Sequence, residues 1–142
     1  TCTNCKQRWT TINGVVFKLM AIEYKNLVKA VTSAGSDQTV YTCPTSTSLI
    51  NYSAIVKTFT IFNTTGGAGT LDAKIVDTSA GVAAVTFNHF TASAYTTLTA
   101  VNAIEDGPLI LESGDILKID TSVQPANVVI SVMEISNELR GV

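Results

Sequence analysis

Between Leu49 and Asn63 the chain reads LINYSAIVKTFTIFN, and its side chains divide by simple alternation. Ile55, Lys57, Phe59 and Ile61 fall on one side of an extended segment, and Val56, Thr58, Thr60 and Phe62 on the other. The run is dominated by β-branched and aromatic residues and ends in the glycine-dense Gly66-Gly67-Ala68-Gly69, which predicts a strand closed by a hairpin turn. The same two-residue period recurs almost to the C-terminus. It predicts further strands near Leu27 to Thr32, Thr39 to Cys43, Thr70 to Asp77, Val82 to Phe87, Thr96 to Ala103, Pro108 to Leu111, Ile116 to Thr121 and Val128 to Ser136. The breaks between them carry turn chemistry, as in Ala34-Gly35-Ser36-Asp37, Asp106-Gly107-Pro108 and Ser113-Gly114-Asp115.

Leu71, Ala73 and Ile75 oppose Asp72, Lys74 and Val76, and Leu117 with Ile119 oppose Lys118 with Asp120, so these strands bury one face only. Val128 to Ile135 (VVISVMEI) is apolar on both faces, as suits a central strand covered by a second sheet and by a neighbour. The one helical candidate is a turn at Glu23 to Val28. Threonine-rich alternation without a fixed period excludes a solenoid. The pattern therefore predicts an all-β chain: an antiparallel β-sandwich, jelly-roll-like, of about eight or nine strands.

Ahead of these strands, Trp9 to Leu19 places Asn13-Gly14 between two β-prone runs, the dipeptide that best tolerates a type I′ hairpin turn. Met20 then opens MAIEYKNLVKAV in the manner of a natural start. Residues 1–19 read as an N-terminal arm or hairpin, and residues 20–142 as the sandwich domain.

Composition narrows the classes. At 142 residues one domain with an autonomous core is expected. Charged residues make up only 14% of the chain, about half of the usual quarter, while 46% is hydrophobic. So little charge implies a surface partly covered by copies of the chain or by partners; a hydrated threonine-rich face is the alternative. Net charge is −2 and the basic residues are scattered singly, which argues against nucleic-acid binding. With no apolar run of bilayer-spanning length and no apolar signal core in Thr1 to Arg8, a soluble chain outside a secretion route is expected.

Candidate chemistry is sparse. The three cysteines, Cys2, Cys5 and Cys43, allow at most one internal bridge, and Cys2-Thr3-Asn4-Cys5 supplies half of a zinc site without a second pair. Cys43, before Pro44, reads as a small buried apolar group. His89 is the only histidine, at a loop or rim in Phe87-Asn88-His89-Phe90, and no Gly-x-Ser-x-Gly elbow offers it a nucleophile. The Gly66 to Thr70 stretch lacks the lysine and helix of a phosphate loop. Glu105-Asp106 and Glu112 with Asp115 either hold a cation loosely or cap turns. Asn51-Tyr52-Ser53 and Asn63-Thr64-Thr65 satisfy the glycosylation sequon without a signal peptide to support it. Trp9, Tyr24, Tyr41, Tyr52 and Tyr95 are too scattered for a sugar platform. No catalytic, cofactor-binding or metal residue is assigned, and no enzyme is expected.

Several phrases resemble a family: MAIEYKNLVKAV, Thr39-Val40-Tyr41-Thr42-Cys43-Pro44, Ala54-Ile55-Val56-Lys57 with Phe62-Asn63, Gly107 to Lys118 (GPLILESGDILK), and Val129 to Ser136 (VISVMEIS). Through them Met20 to Ser136 resembles small structural proteins of tailed bacteriophages, marine podovirus-like ones especially; the arm has no counterpart in that pattern. The resemblance implies a virion protein on the capsid exterior: a decoration or cement protein, a homotrimer, with the major capsid protein and itself as partners and neither nucleic acid nor membrane. A neck, tail or fibre-base component and a host-glycan-binding module are the alternatives. The interface is expected in Thr1 to Leu19 and on the uncharged faces of Thr96 to Thr99 and Val128 to Met133.

Overall fold

A computed structural model of the chain describes residues 20–32, 34–63, 69–92, 99–104, 107–122 and 126–138. Among them run nine strands: β1 (Met20–Val31), β2 (Gln38–Thr42), β3 (Ile50–Asn63), β4 (Gly69–Val76), β5 (Val85–Ala92), β6 (Thr99–Asn102), β7 (Leu109–Leu111), β8 (Ile116–Thr121) and β9 (Ala126–Glu138). All pairings are antiparallel. The larger sheet has the order β1-β9-β3, with β6 and β7 both on the far edge of β3, and the smaller sheet the order β2-β8-β4-β5. Because β6 and β7 share one edge, opposite Thr60 to Asn63 and Ala54 to Val56 respectively, each sheet is four strands wide. The chain is thus an all-β sandwich in which successive strands mostly switch sheets, the order of a jelly roll.

Alternating side chains meet between the layers. Phe59, Ile61, Leu71, Leu111, Leu117 and Ile119 are fully buried there, drawn from both sheets. One-sided burial holds for β4 and β8, where Leu71, Ala73, Leu117 and Ile119 are buried and Lys74, Lys118 and Asp120 are not. β9 pairs along almost its whole length with β1 on one side and β3 on the other, the central position its two apolar faces predict.

Three expectations are corrected. In β3 the register shifts between Val56 and Thr58, so a bulge at Lys57 carries one extra residue. Ala54 and Val56 on one side of the bulge and Phe59 and Ile61 on the other are all fully buried, although simple alternation sends Val56 and Phe59 to opposite faces. β3 and β4 do not form the hairpin expected of the strands flanking Gly66 to Gly69, because they lie in different sheets. Both edges of β3 are already taken, by β9 and by β6 with β7, which leaves β4 no place beside it. Finally, Glu23 to Val28 is extended rather than helical: each residue has a partner on β9, from Glu134 to Val129. The lateral hydrogen bonds of a twelve-residue ladder outweigh a local preference that is weak at best.

β1 therefore starts at Met20, well before Leu27, and β5 runs from Val85 to Ala92, later than the expected Val82 to Phe87. The Asn13-Gly14 hairpin, the arm and Thr96 to Leu98 lie outside the described residues.

Candidate functional site: the outer face of the larger sheet

Strand pairing assembles a row that no single segment contains. Tyr24 of β1 stands opposite Met133 of β9, Met133 opposite Ile55 of β3, and Ile55 opposite Ile110 of β7. Their sequence neighbours Val132, Val56 and Leu111 point into the core, so this row faces away from it. Tyr24 is 69% and Ile110 66% exposed, while Met133 and Ile55 between them are half-buried. A second row pairs Ile22 with Ile135, and a third Val28, 74% exposed, with Val129. Between them Ser131 Oγ donates to Asn26 Oδ1 at 2.7 Å. Lys57, pushed outward by the bulge, sets its ammonium 5.2 Å from the Tyr24 ring centroid, a cation–π contact. Beside it a shallow depression is lined by Ile55, Lys57, Ile104, Gly107, Pro108 and Met133. Large side chains at this density on one outer face are what a protein surface keeps for contact.

The outer face of the smaller sheet is built differently. Lys74 donates to Asp37 Oδ1 at 2.6 Å and to Asp120 Oδ2 at 3.2 Å, and its hydrogen bond to Asp37 is the main cause holding its amine above the ordinary lysine range. His89 pairs with Asp72, which in turn stands opposite Asp120. One outer face is apolar, the other ionic.

A buried ionic group ties the edges of the two layers. Glu134, 7% exposed, accepts from the Tyr41 hydroxyl of β2 at 2.9 Å and from Lys25 Nζ of β1 at 2.6 Å. Burial first, and then the bond to Glu134, pushes the Tyr41 phenol far above its ordinary range. Lys25 is likewise held upward, chiefly by its hydrogen bond to Glu134. The carboxylate has a donor for each oxygen and no face open for substrate, so its work is to join the sheets.

The sequence-selected residues separate in space. His89 sits within β5, an edge strand, rather than in a loop, and is exposed. Cys43 is fully buried, and desolvation pushes its thiol up to about 11. At pH 8 only about one part in a thousand of such a thiol is thiolate. In a Cys2→Ser/Cys5→Ser variant, native protein should therefore leave a thiol reagent unreacted over minutes, with one equivalent consumed on unfolding in guanidinium; rapid native labelling would show Cys43 to be accessible.

Asp115 proves to be a turn brace. Its Oδ2 accepts from Glu112 N at 2.9 Å and its Oδ1 from Thr78 N at 3.1 Å. The neighbouring Gly114 has φ +85° and approaches Thr78, a close packing that excludes a side chain. Glu105 and Asp106 lie outside the described residues, among which no group of three His, Cys, Asp or Glu side chains could hold a metal ion. Tyr24 is exposed and Tyr41 buried, so these two build no common platform. Of the expected interface at Val128 to Met133, Val128, Ile130 and Val132 belong to the core, and only Val129, Ser131 and Met133 face outward. Tyr24 and Ile110 were missed because their partners in the row come from strands distant in sequence.

No protein-family model and no characterised protein matches the chain. Among solved structures it is similar to a chain from a study described as "Bacillus endospore appendages form a novel family of disulfide-linked pili", at 16% identity and a TM-score of 0.39, covering 92% of this chain and 100% of that one. A chain of the infectious bursal disease virus Gx strain gives 9% identity and a TM-score of 0.22, covering 84% of this chain and 39% of the other. Both likenesses are too remote to bear on function.

Proposed function

We propose that this jelly-roll domain is a structural subunit that works through contact surface, coating or building an assembly of many like subunits. The observation that carries the reading is the apolar row Tyr24, Met133, Ile55 and Ile110, exposed at Tyr24 and Ile110, on a domain whose other outer face is ionic. Repetition makes modest contacts sufficient: each subunit already held in a lattice meets the next at high effective concentration. The resemblance of Met20 to Ser136 to tailed-phage structural proteins supports a virion as that assembly. In this reading the chain is a capsid decoration protein bound to the major capsid protein, a trimer at local threefold positions, with neck, tail or fibre base as the other virion sites.

A second reading, a filament, draws on the edges. β1 is twelve residues long and pairs, among the described residues, only with β9, which leaves its other edge for a strand of another chain. An edge joined to a different edge of the next copy makes a head-to-tail contact, and such contacts that do not close give filaments.

An antibody raised against residues 20–142 and seen by gold label in electron micrographs of the source's particles and cell surfaces separates the two readings. Regular label on a shell is expected for decoration and label along a fibre for the filament. Diffuse intracellular label without any assembly would contradict both.

A further inference from the structure

The arm and the outer face of the larger sheet match each other in apolar chemistry. Residues 1–19 hold Trp9, Ile12, Val15, Val16, Phe17 and Leu19, an apolar content that water does not favour leaving bare. They also hold three of the nine basic residues, Lys6, Arg8 and Lys18, and none of the eleven acids. The arm thus carries +3 and the remainder −5 of the net −2. An apolar, basic segment suits an apolar face on an acidic domain.

Reach lets a second copy supply that face. The chain enters β1 at Met20, and Tyr24 lies four residues further in, about 13 Å along the strand. The turn predicted at Asn13-Gly14 is six residues on the other side of Met20. A two-residue turn there is expected to set Trp9 to Ile12 opposite Val15 to Lys18. Nineteen residues reach at most about 65 Å when extended, so the arm is long enough to meet a neighbouring copy, whose apolar row is a surface of matching chemistry.

Resting on the assembly reading above, we propose that the arm of one copy, through Trp9 to Leu19, seats on the row Tyr24, Met133, Ile55 and Ile110 of a second copy. The shallow depression lined by Ile104 and Pro108 takes one of its large side chains. The row is then a socket for the chain's own arm rather than a general adhesive face.

Trp9 is the only tryptophan, so the full-length protein reports on its own arm. Its emission is followed through a dilution series together with mass by sedimentation velocity, for the wild type, Ile110→Asp and Tyr24→Ser. Both replaced side chains are about two-thirds exposed, so both variants should keep the wild-type far-ultraviolet circular dichroism. The expected result is a blue shift of Trp9 that grows with concentration in step with mass above 15.0 kDa. Ile110→Asp should weaken both by about thirtyfold or more, as removal of a central interface anchor does, and Tyr24→Ser by a similar factor.

A blue-shifted Trp9 in a concentration-independent monomer would overturn the proposal by showing that the arm packs on its own domain. An oligomer whose Trp9 is solvent-like, or insensitive to both variants, would overturn it while leaving self-assembly standing. A monomer with solvent-like Trp9 at every concentration would remove the proposal and self-assembly together.

Discussion

Deleting Thr60 from β3 is expected to cost a large part of the domain's stability, whereas deleting Lys57, the exposed extra residue of the bulge, is expected to leave a folded protein. The bulge at Lys57 reconciles two halves of β3 that this extra residue would otherwise set out of phase. Without Lys57, Val56 and Phe59 stand two positions apart, so Ala54, Val56, Phe59 and Ile61 all fall on the inner face of a regularly alternating strand and keep their partners on β9. Without Thr60, Phe59 and Ile61 become neighbours, so alternation turns one of them outward and forfeits about 1.5–3 kcal/mol before any cavity is counted. A loss on that scale, added to a shifted ladder with β9, is a large share of the roughly 5–15 kcal/mol that typically holds a domain together. Lys57→Ser keeps the extra residue and loses the cation–π contact, so it should cost about 1 kcal/mol or less. Circular dichroism and urea melts of these variants check this; an unfolded Lys57 deletion, or a Thr60 deletion of near wild-type stability, would contradict it.

Glu134→Ala should destabilise the domain by about 3 kcal/mol, and lower its melting temperature by roughly 10 °C. The substitution leaves the Tyr41 hydroxyl buried without its acceptor and Lys25 without its near partner, and it unties β2 of one sheet from β1 and β9 of the other. Side-chain exposure of 34% at Lys25 lets water recover part of the loss, which keeps the figure at the lower end for broken buried pairs. The same group predicts a pH dependence. Lys25 binds its proton more tightly in the folded chain than at its ordinary 10.5. Its contribution is therefore complete below that value and fades as pH rises through the higher folded value. In Glu134→Ala this alkaline loss should be smaller than in the wild type. Parallel urea titrations at pH 8 and pH 11 measure the difference, and equal losses in both proteins would place the alkaline sensitivity elsewhere.

Most strands were legible because a two-residue period survives in the sequence wherever one face is buried, as in Leu71 to Val76 and Ile116 to Thr121. β9 announced its central place through eight residues with scarcely a polar interruption. The ionic group at Glu134 within that run was not legible, because Tyr41 and Lys25 reach it from strands distant in sequence. The bulge at Lys57 was not legible, because counting alternate positions cannot detect an inserted residue when both faces carry apolar side chains. The first half of β1 was hidden for the opposite reason: Glu23, Lys25 and Asn26 interrupt its pattern, and it is a strand through its pairing with β9.

The outer row was hidden because register is a relation between strands. Met133 and Ile55 are ordinary strand residues until the ladder sets them between Tyr24 and Ile110. The inward half of a jelly roll can be read from each strand alone, whereas a contact face emerges only from the order in which the strands lie side by side.

Sedimentation equilibrium of the full-length chain over a wide concentration range tests most directly whether this domain works by association. The expected result is a mass several-fold above 15.0 kDa that falls toward the single-chain value in Ile110→Asp. A single species of 15.0 kDa at every concentration, unchanged by Ile110→Asp, would contradict it.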